Sequence, residues 1–212
     1  MKIIPSIMVR NQQEFDGLLK KSKGVSKILH LDVVDGKFAP NHSLDFDLKI
    51  KKARKWHSYQ MHLMVRHPER WVRKYGEEVD LFIPQIEALK HQARYIHDMK
   101  QKGRKVAFAI LPKTRISSLI SAVKKADYVL VLTVEPGFYG GTFLPRQLKK
   151  IQQIKRINPM VKVIVDGGMN PTTIKIAAKA GADYFVSGHF VSKAKNSKKA
   201  MKELERAVNS RG

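Results

Sequence analysis

Short runs of β-branched and aliphatic residues alternate, from one end of the chain to the other, with longer stretches whose apolar positions recur at helical spacing. The short runs predict strands over residues 3–7, 28–33, 60–64, 81–83, 105–110, 128–133, 161–165 and 184–186. The longer stretches predict helices over 12–21, 48–55, 68–75, 89–102, 116–124, 148–157, 172–180 and 198–208, several of them opened by a capping residue or a first-turn proline. Eight strand–helix units in 212 residues fit an α/β chain folded as a single (β/α)8 barrel, residues 1–212, at the compact end of that fold's range. A doubly wound open sheet is the competing architecture, but no G-x-G-x-x-G follows the first strand. No linker, low-complexity segment or short repeat interrupts the alternation.

Active sites in such barrels gather at the C-terminal ends of the strands, which makes polar residues there the candidates. In the segment Ile28-Leu29-His30-Leu31-Asp32-Val33, alternation sends Leu29, Leu31 and Val33 towards the helices and His30 with Asp32 into the barrel. The next strand repeats the device, with Met61, Leu63 and Val65 on one face and His62 on the other. The seventh strand ends in Asp166, followed by Gly167 and Gly168. Taken singly, each histidine can be a hydrogen-bonded core residue and each aspartate a cap for the turn that follows. Together they are four desolvation problems at one barrel mouth, and a shared divalent cation such as Zn2+, Fe2+, Mn2+ or Co2+ would solve them jointly.

Glycines add a second signal. Gly137, Gly140 and Gly141 follow the sixth strand, Gly167 and Gly168 the seventh, and Gly188, with His189 next to it, the eighth. Any one of these could be only a tight turn. Three in consecutive late units suit a phosphate grip built from backbone amides.

Composition narrows the partners. An excess of 41 Lys and Arg over 18 Asp and Glu gives a net charge of +23, a field that recruits phosphorylated small molecules, nucleic acids or anionic membranes. The bases recur in nearly every predicted helix instead of forming one stripe, with clusters at 49–55 and 193–202, and no nucleic-acid-binding motif accompanies them. The early apolar run from Ile3 to Val9 contains Pro5 and ends at Arg10, too short for a membrane span or a signal-peptide core. With no cysteine there is no disulfide framework, and a mature, soluble, cytoplasmic protein without a membrane or nucleic-acid partner is expected, homo-oligomerisation being left open.

At the level of motifs the chain resembles the ribulose-phosphate 3-epimerase family. The matching segments are Pro5-Ser6, HLDVVDGKFAPN from His30, MHLMV from Met61 with Pro68-Glu69, VLTVEPGF from Val131, VDGG from Val165 and AGADYFVSG from Ala180, in order along nearly the whole chain. The resemblance implies a phosphate-binding barrel that interconverts D-ribulose 5-phosphate and D-xylulose 5-phosphate by inverting the carbon beside the ketone. It implies one divalent metal held by His30, Asp32, His62 and Asp166, with Asp32 and Asp166 doubling as the acid–base pair. It also implies substrate contacts from Ser6, His62 and Met64, with phosphate held at Gly140, Gly141, Gly167, Gly168, Gly188 and His189.

Departures from the family pattern bear on the substrate. Val34 and Leu132 stand where methionine is usual, Gln85 where histidine is usual, and His189 where serine or threonine is usual. In the loop after the sixth strand, Tyr139 and Gly141 replace a glycine and a glutamine. A ketohexose-phosphate epimerase acting on D-allulose 6-phosphate uses the same ligands and is the nearest alternative. A basic nucleic-acid-binding barrel without epimerase activity is the alternative from another class, and a non-catalytic metal-binding barrel is a third.

Overall fold

Strict alternation along the strands decides which side chains enter the barrel and which meet the helices. The computed structural model describes residues 1–50 and 57–209. Among them the strands are β1 (Lys2–Ile7), β2 (Ile28–Asp35), β3 (His42–Ser43), β4 (Ser58–Met64), β5 (Leu81–Pro84), β6 (Ala107–Ile110), β7 (Tyr128–Leu132), β8 (Lys162–Asp166) and β9 (Tyr184–Ser187). All but the two-residue β3 pair in parallel, in the order β5-β4-β2-β1-β9-β8-β7-β6, and a parallel bridge between Gln85 and Ala109 joins the two ends into a barrel. The eight predicted strands are these eight. The short β3 is an addition, pairing antiparallel with the end of β2 through Val34–Ser43 and Asp35–His42.

Helices α1 (Gln12–Ser22), α2 (Pro68–Lys74), α3 (Gln92–Gln101), α4 (Ile120–Lys125), α5 (Lys149–Ile157), α6 (Thr173–Lys179), α7 (His189–Ser192) and α8 (Ser197–Asn209) follow the strands. The α1 start is a reciprocal cap: Asn11 accepts from the Glu14 amide at 2.9 Å, and Glu14 accepts from the Arg10 amide at 2.9 Å. Pro68 opens α2, where a missing amide proton costs nothing. Three predicted helices begin differently: 89–102 starts only at Gln92, while Ile116–Leu119 and Pro145–Leu148 are 3-10 turns leading into α4 and α5. Of the predicted helix 48–55, residues 48–50 are irregular and the rest, with Lys51, Lys52, Arg54 and Lys55, lies outside the described residues.

Leu29, Leu31, Val33, Tyr59, Met61 and Leu63 pack between β2, β4 and the outer helices, and Phe108, Val129, Val131, Val163, Val165 and Phe185 do the same on the other half. Inside the barrel, Leu81, Ile83, Ala107, Ala109, Leu130, Leu132, Ile164 and Val186 fill the β5–β9 side. The β2–β4 side is different, because there the polar His30, Asp32, Gln60 and His62 are buried facing inward, below Val34 and Met64. In α8 the buried face is Ala200, Met201, Leu204 and Ala207, while Lys198, Lys199, Lys202 and Arg206 face solvent. No described helix is long and apolar enough to cross a membrane.

Because Leu31 points away from the mouth and is fully buried, Leu31→Ala is expected to cost ~2–5 kcal/mol of stability through the cavity it leaves. Urea unfolding measures this, and Lys202→Ala on the solvated face of α8 is expected to stay within about 0.5 kcal/mol.

Candidate active site

Register brings the polar residues together. Asp32 on β2 is paired across to His62 on β4, His30 to Gln60, and Ser6 on β1 to His30. Asp166 ends β8, three strands round the barrel from β2 with β1 and β9 between. Its carboxylate nevertheless reaches the same point: His62 Nδ1 lies 3.2 Å from Asp32 Oδ1 and 3.4 Å from Asp166 Oδ2. His30 Nε2 lies 3.4 Å from Asp32 Oδ1 and 3.9 Å from Asp166 Oδ2. One ligand atom from each of the four residues falls within 4.8 Å of all the others, a group that could hold a metal ion.

Electrostatics follow from that crowding. Burial opposes the charge on Asp32, yet the adjacent imidazoles of His30 and His62 outweigh it and hold the carboxyl well below the usual carboxylate range. For His62 burial again works against the charged form, and hydrogen bonds from its ring to Asp166 and Asp32 overcome it, pushing the imidazole up to about 9. In the absence of a cation, a proton on His62 supplies one positive charge beside Asp32 and Asp166.

Two orphaned atoms test whether a metal ion fits here. His30 Nε2 is buried with no hydrogen-bond partner, facing the carboxylates, as a neutral imidazole ligand would. Gln85, fully buried at the closing bridge, sets its amide nitrogen 2.9 Å from His62 Nε2 while its Oε1 has no partner. A half-turn of the amide exchanges the two ends. With His62 protonated, or ligating through Nδ1, the oxygen is the end that must accept from Nε2–H, and the same half-turn gives Oε1 its partner. The donor set of two imidazoles and two carboxylates therefore fits a divalent transition ion.

Above this cluster lies a cavity of about 510 Å3 lined by Ser6, Asp32, Met64, Asp166 and the loops after β7, β8 and β9. Gly140, Gly141, Gly167, Gly168, Gly188 and His189 all contribute to its wall. His30 and His62 do not, being fully buried beneath it. Sequence reasoning missed Met8 and Met169, which also line the cavity, so that sulfur is present although Leu132 stands where methionine is usual. It also missed Thr133, whose buried hydroxyl donates to the Asp166 carbonyl at 2.9 Å and the Gly167 carbonyl at 2.6 Å. That clasp sets the turn carrying Asp166. Gly167 has φ +109°, and a Cβ there would come 2.5 Å from Val134 Cγ2, so no other residue fits without displacing the wall.

The proton on His62 has a measurable consequence for the metal-free protein. Its folded-state pKa of about 9 exceeds the ordinary 6.5, so the stability it contributes is complete below pH 6.5 and is lost as pH rises through about 9. Urea unfolding with chelator present, at pH values below, inside and above that window, is expected to show the loss, and His62→Gln to flatten the curve.

The ribulose-phosphate 3-epimerase family model matches residues 2–192. A ribulose-phosphate 3-epimerase of Schizosaccharomyces pombe is 33% identical, covering 98% of this chain and 93% of its own. One from Methanocaldococcus jannaschii is 35% identical over 84% of this chain and 78% of its own. Among solved structures, a 3-hexulose-6-phosphate synthase superposes with a TM-score of 0.71 at 18% identity, covering 98% of this chain and 99% of its own, which bears on the fold alone. With its cluster of His30, Asp32, His62 and Asp166 at the mouth of an eight-stranded parallel barrel, the chain belongs to the ribulose-phosphate 3-epimerase family.

Proposed function

We propose that this protein is a metal-dependent isomerase that epimerises D-ribulose 5-phosphate and D-xylulose 5-phosphate at the carbon beside the ketone, working in the cytoplasm as one barrel domain. The observation that carries this reading is the convergence of Asp32 and Asp166, from strands on different sides of the mouth, on one point shared with His30 and His62. A bound Zn2+, Fe2+, Mn2+ or Co2+ would supply Lewis-acid stabilisation of the negative charge that develops on the ketone and hydroxyl oxygens.

The chain's own residues do the rest. A proton beside a ketone is weakly acidic, so its removal needs a positioned base, and inversion needs an acid on the opposite face. Asp32 is held ionised by its imidazole neighbours, the form a base requires. Asp166, on β8, enters this direction of the cycle as the carboxylic acid and hands its proton to the other face of the planar intermediate; Asp32 is left protonated and Asp166 ionised, and the reverse direction exchanges the two roles. One carboxylate alone would return the proton to the face it came from. His30 and His62 fix the two carboxylates, and Gln85 fixes the His62 ring. Amides of the loops at Gly140, Gly141, Gly167, Gly168 and Gly188, with His189 beside them, are suited to the phosphate. Met8, Met64, Leu132 and Val134 give an apolar wall that thins the water around the reacting carbons and strengthens each polar contact.

The deciding experiment is turnover of D-ribulose 5-phosphate with each of the four metals in D2O, following both D-xylulose 5-phosphate and deuterium at the inverted carbon. Absence of product and of exchange with every metal overturns the assignment. Asp32→Asn and Asp166→Asn are each expected to lower turnover by at least ~10²-fold, since each removes a proton-transfer group. His62→Ala is expected to lower metal content as well as rate, read by elemental analysis after dialysis against metal-free buffer.

A further inference from the structure

The loop after β7 carries a side chain that the site does not need for proton transfer yet turns directly into it. Gly137 and Gly140, with φ of +108° and +77°, bracket the segment so that Phe138 is 56% exposed while Tyr139 points inward. The Tyr139 hydroxyl donates to the Ser6 carbonyl at 2.9 Å, and Ser6 Oγ donates back to the phenol oxygen at 3.4 Å. Its ring lies against Gly188, where an added Cβ would sit 2.4 Å from Tyr139 Cε1 and 2.5 Å from Ser6 Oγ. The tyrosine thus reaches from the β7 loop past β8 and β9 to β1, along one side of the cavity that also holds Asp32 and Asp166. Burial, reinforced by the negative charges of Asp32 and Asp166, keeps the phenol protonated well beyond the usual range, so it stays a neutral hydrogen-bonding wall.

We propose that Tyr139, pinned to Ser6 and packed on Gly188, is a specificity-determining residue that limits the length of the ketose phosphate the site accepts. This rests on the epimerase reading given above. A ketose phosphate is held at two ends, its ketone and neighbouring hydroxyl over the four-residue cluster and its phosphate among the glycine loops. With both ends fixed, a sixth carbon can be taken up only if the chain bows sideways. On the Ser6–Gly188 side the Tyr139 ring fills the space into which it would bow, and the two hydrogen bonds to Ser6 keep the ring from yielding. A small residue at this position leaves that space open.

The test compares D-ribulose 5-phosphate with D-allulose 6-phosphate in wild type, Tyr139→Ala and Tyr139→Phe, all metal-loaded, by kcat/KM and by calorimetric Kd. Tyr139→Ala is expected to raise the hexulose-to-pentulose ratio at least ~10-fold, a loss of discrimination of the size a hydrophobic wall supplies. Tyr139→Phe keeps the ring but loses the pin, and is expected to move the ratio less than Tyr139→Ala does. A ratio that does not change in Tyr139→Ala overturns the proposal, as does an equal loss for both sugars, which would assign the ring to loop packing alone. If no variant turns over either sugar, the epimerase reading fails by itself, and the ratio of the two Kd values still decides the role of Tyr139. Failure of wild type and variants alike to bind either phosphate overturns both.

Discussion

Two carboxylates and two imidazoles cannot be buried within a few ångströms of one another unless positive charge is shared among them, and the rest of the mouth is arranged around that requirement. Asp32 and Asp166 converge on the Nδ1 edge of His62 and the Nε2 edge of His30. In the metal-free state a proton on His62 provides one such positive charge. A divalent cation held by the four residues would supply more positive charge than one proton and would give the orphaned His30 Nε2 a partner.

Such a cluster needs a frame that does not relax when charges are crowded into it. The parallel barrel supplies one, because each polar strand end is hydrogen-bonded on both sides and its alternate residues are locked in the sheet–helix core. Leu29, Leu31 and Val33 hold β2 against the helices, so His30 and Asp32 have nowhere to turn but inward. On β8, Val163 and Val165 do the same for Asp166, and the Thr133 hydroxyl clasps the turn beyond it. The interior opposite is apolar, from Leu81 round to Val186, which confines the low-dielectric, charged corner to β2, β4 and the end of β8. The buried charged groups are thereby concentrated at one rim, with the loops after β7, β8 and β9 lining the cavity above it.

Much of this was legible in the chain, for reasons that can be named. Period-two alternation in 28–33 and 60–64 identified both the strands and the inward histidines, because one residue of slippage would have put Leu29 and Leu31 into the site. The two-residue β3 was not legible, since two residues carry no period; it exists because the Asp35 carboxylate accepts from the Lys37, Phe38 and Arg66 amides and folds the chain back on β2. Gln85 read as a departure from a pattern, and only closure of the barrel at Gln85–Ala109 places its amide on His62. Tyr139 was open in the same way: its sequence neighbours do not say whether a tyrosine between glycines packs on the rim or turns inward, and Ser6, 133 positions away, decides it.

The strand–helix alternation, the faces of each strand and the chemical types gathered at the strand ends can all be read from the chain, because these depend on local periodicity within a few residues. Which atoms meet follows only from the assembled barrel: that an Asp166 oxygen comes within 3.4 Å of His62 Nδ1, that His62 lies beneath the cavity wall and not on it, and that the Tyr139 phenol reaches Ser6. Those contacts join residues as many as 133 positions apart, and their geometry is fixed by strand register and barrel closure, properties of the whole sheet that no local stretch of sequence contains.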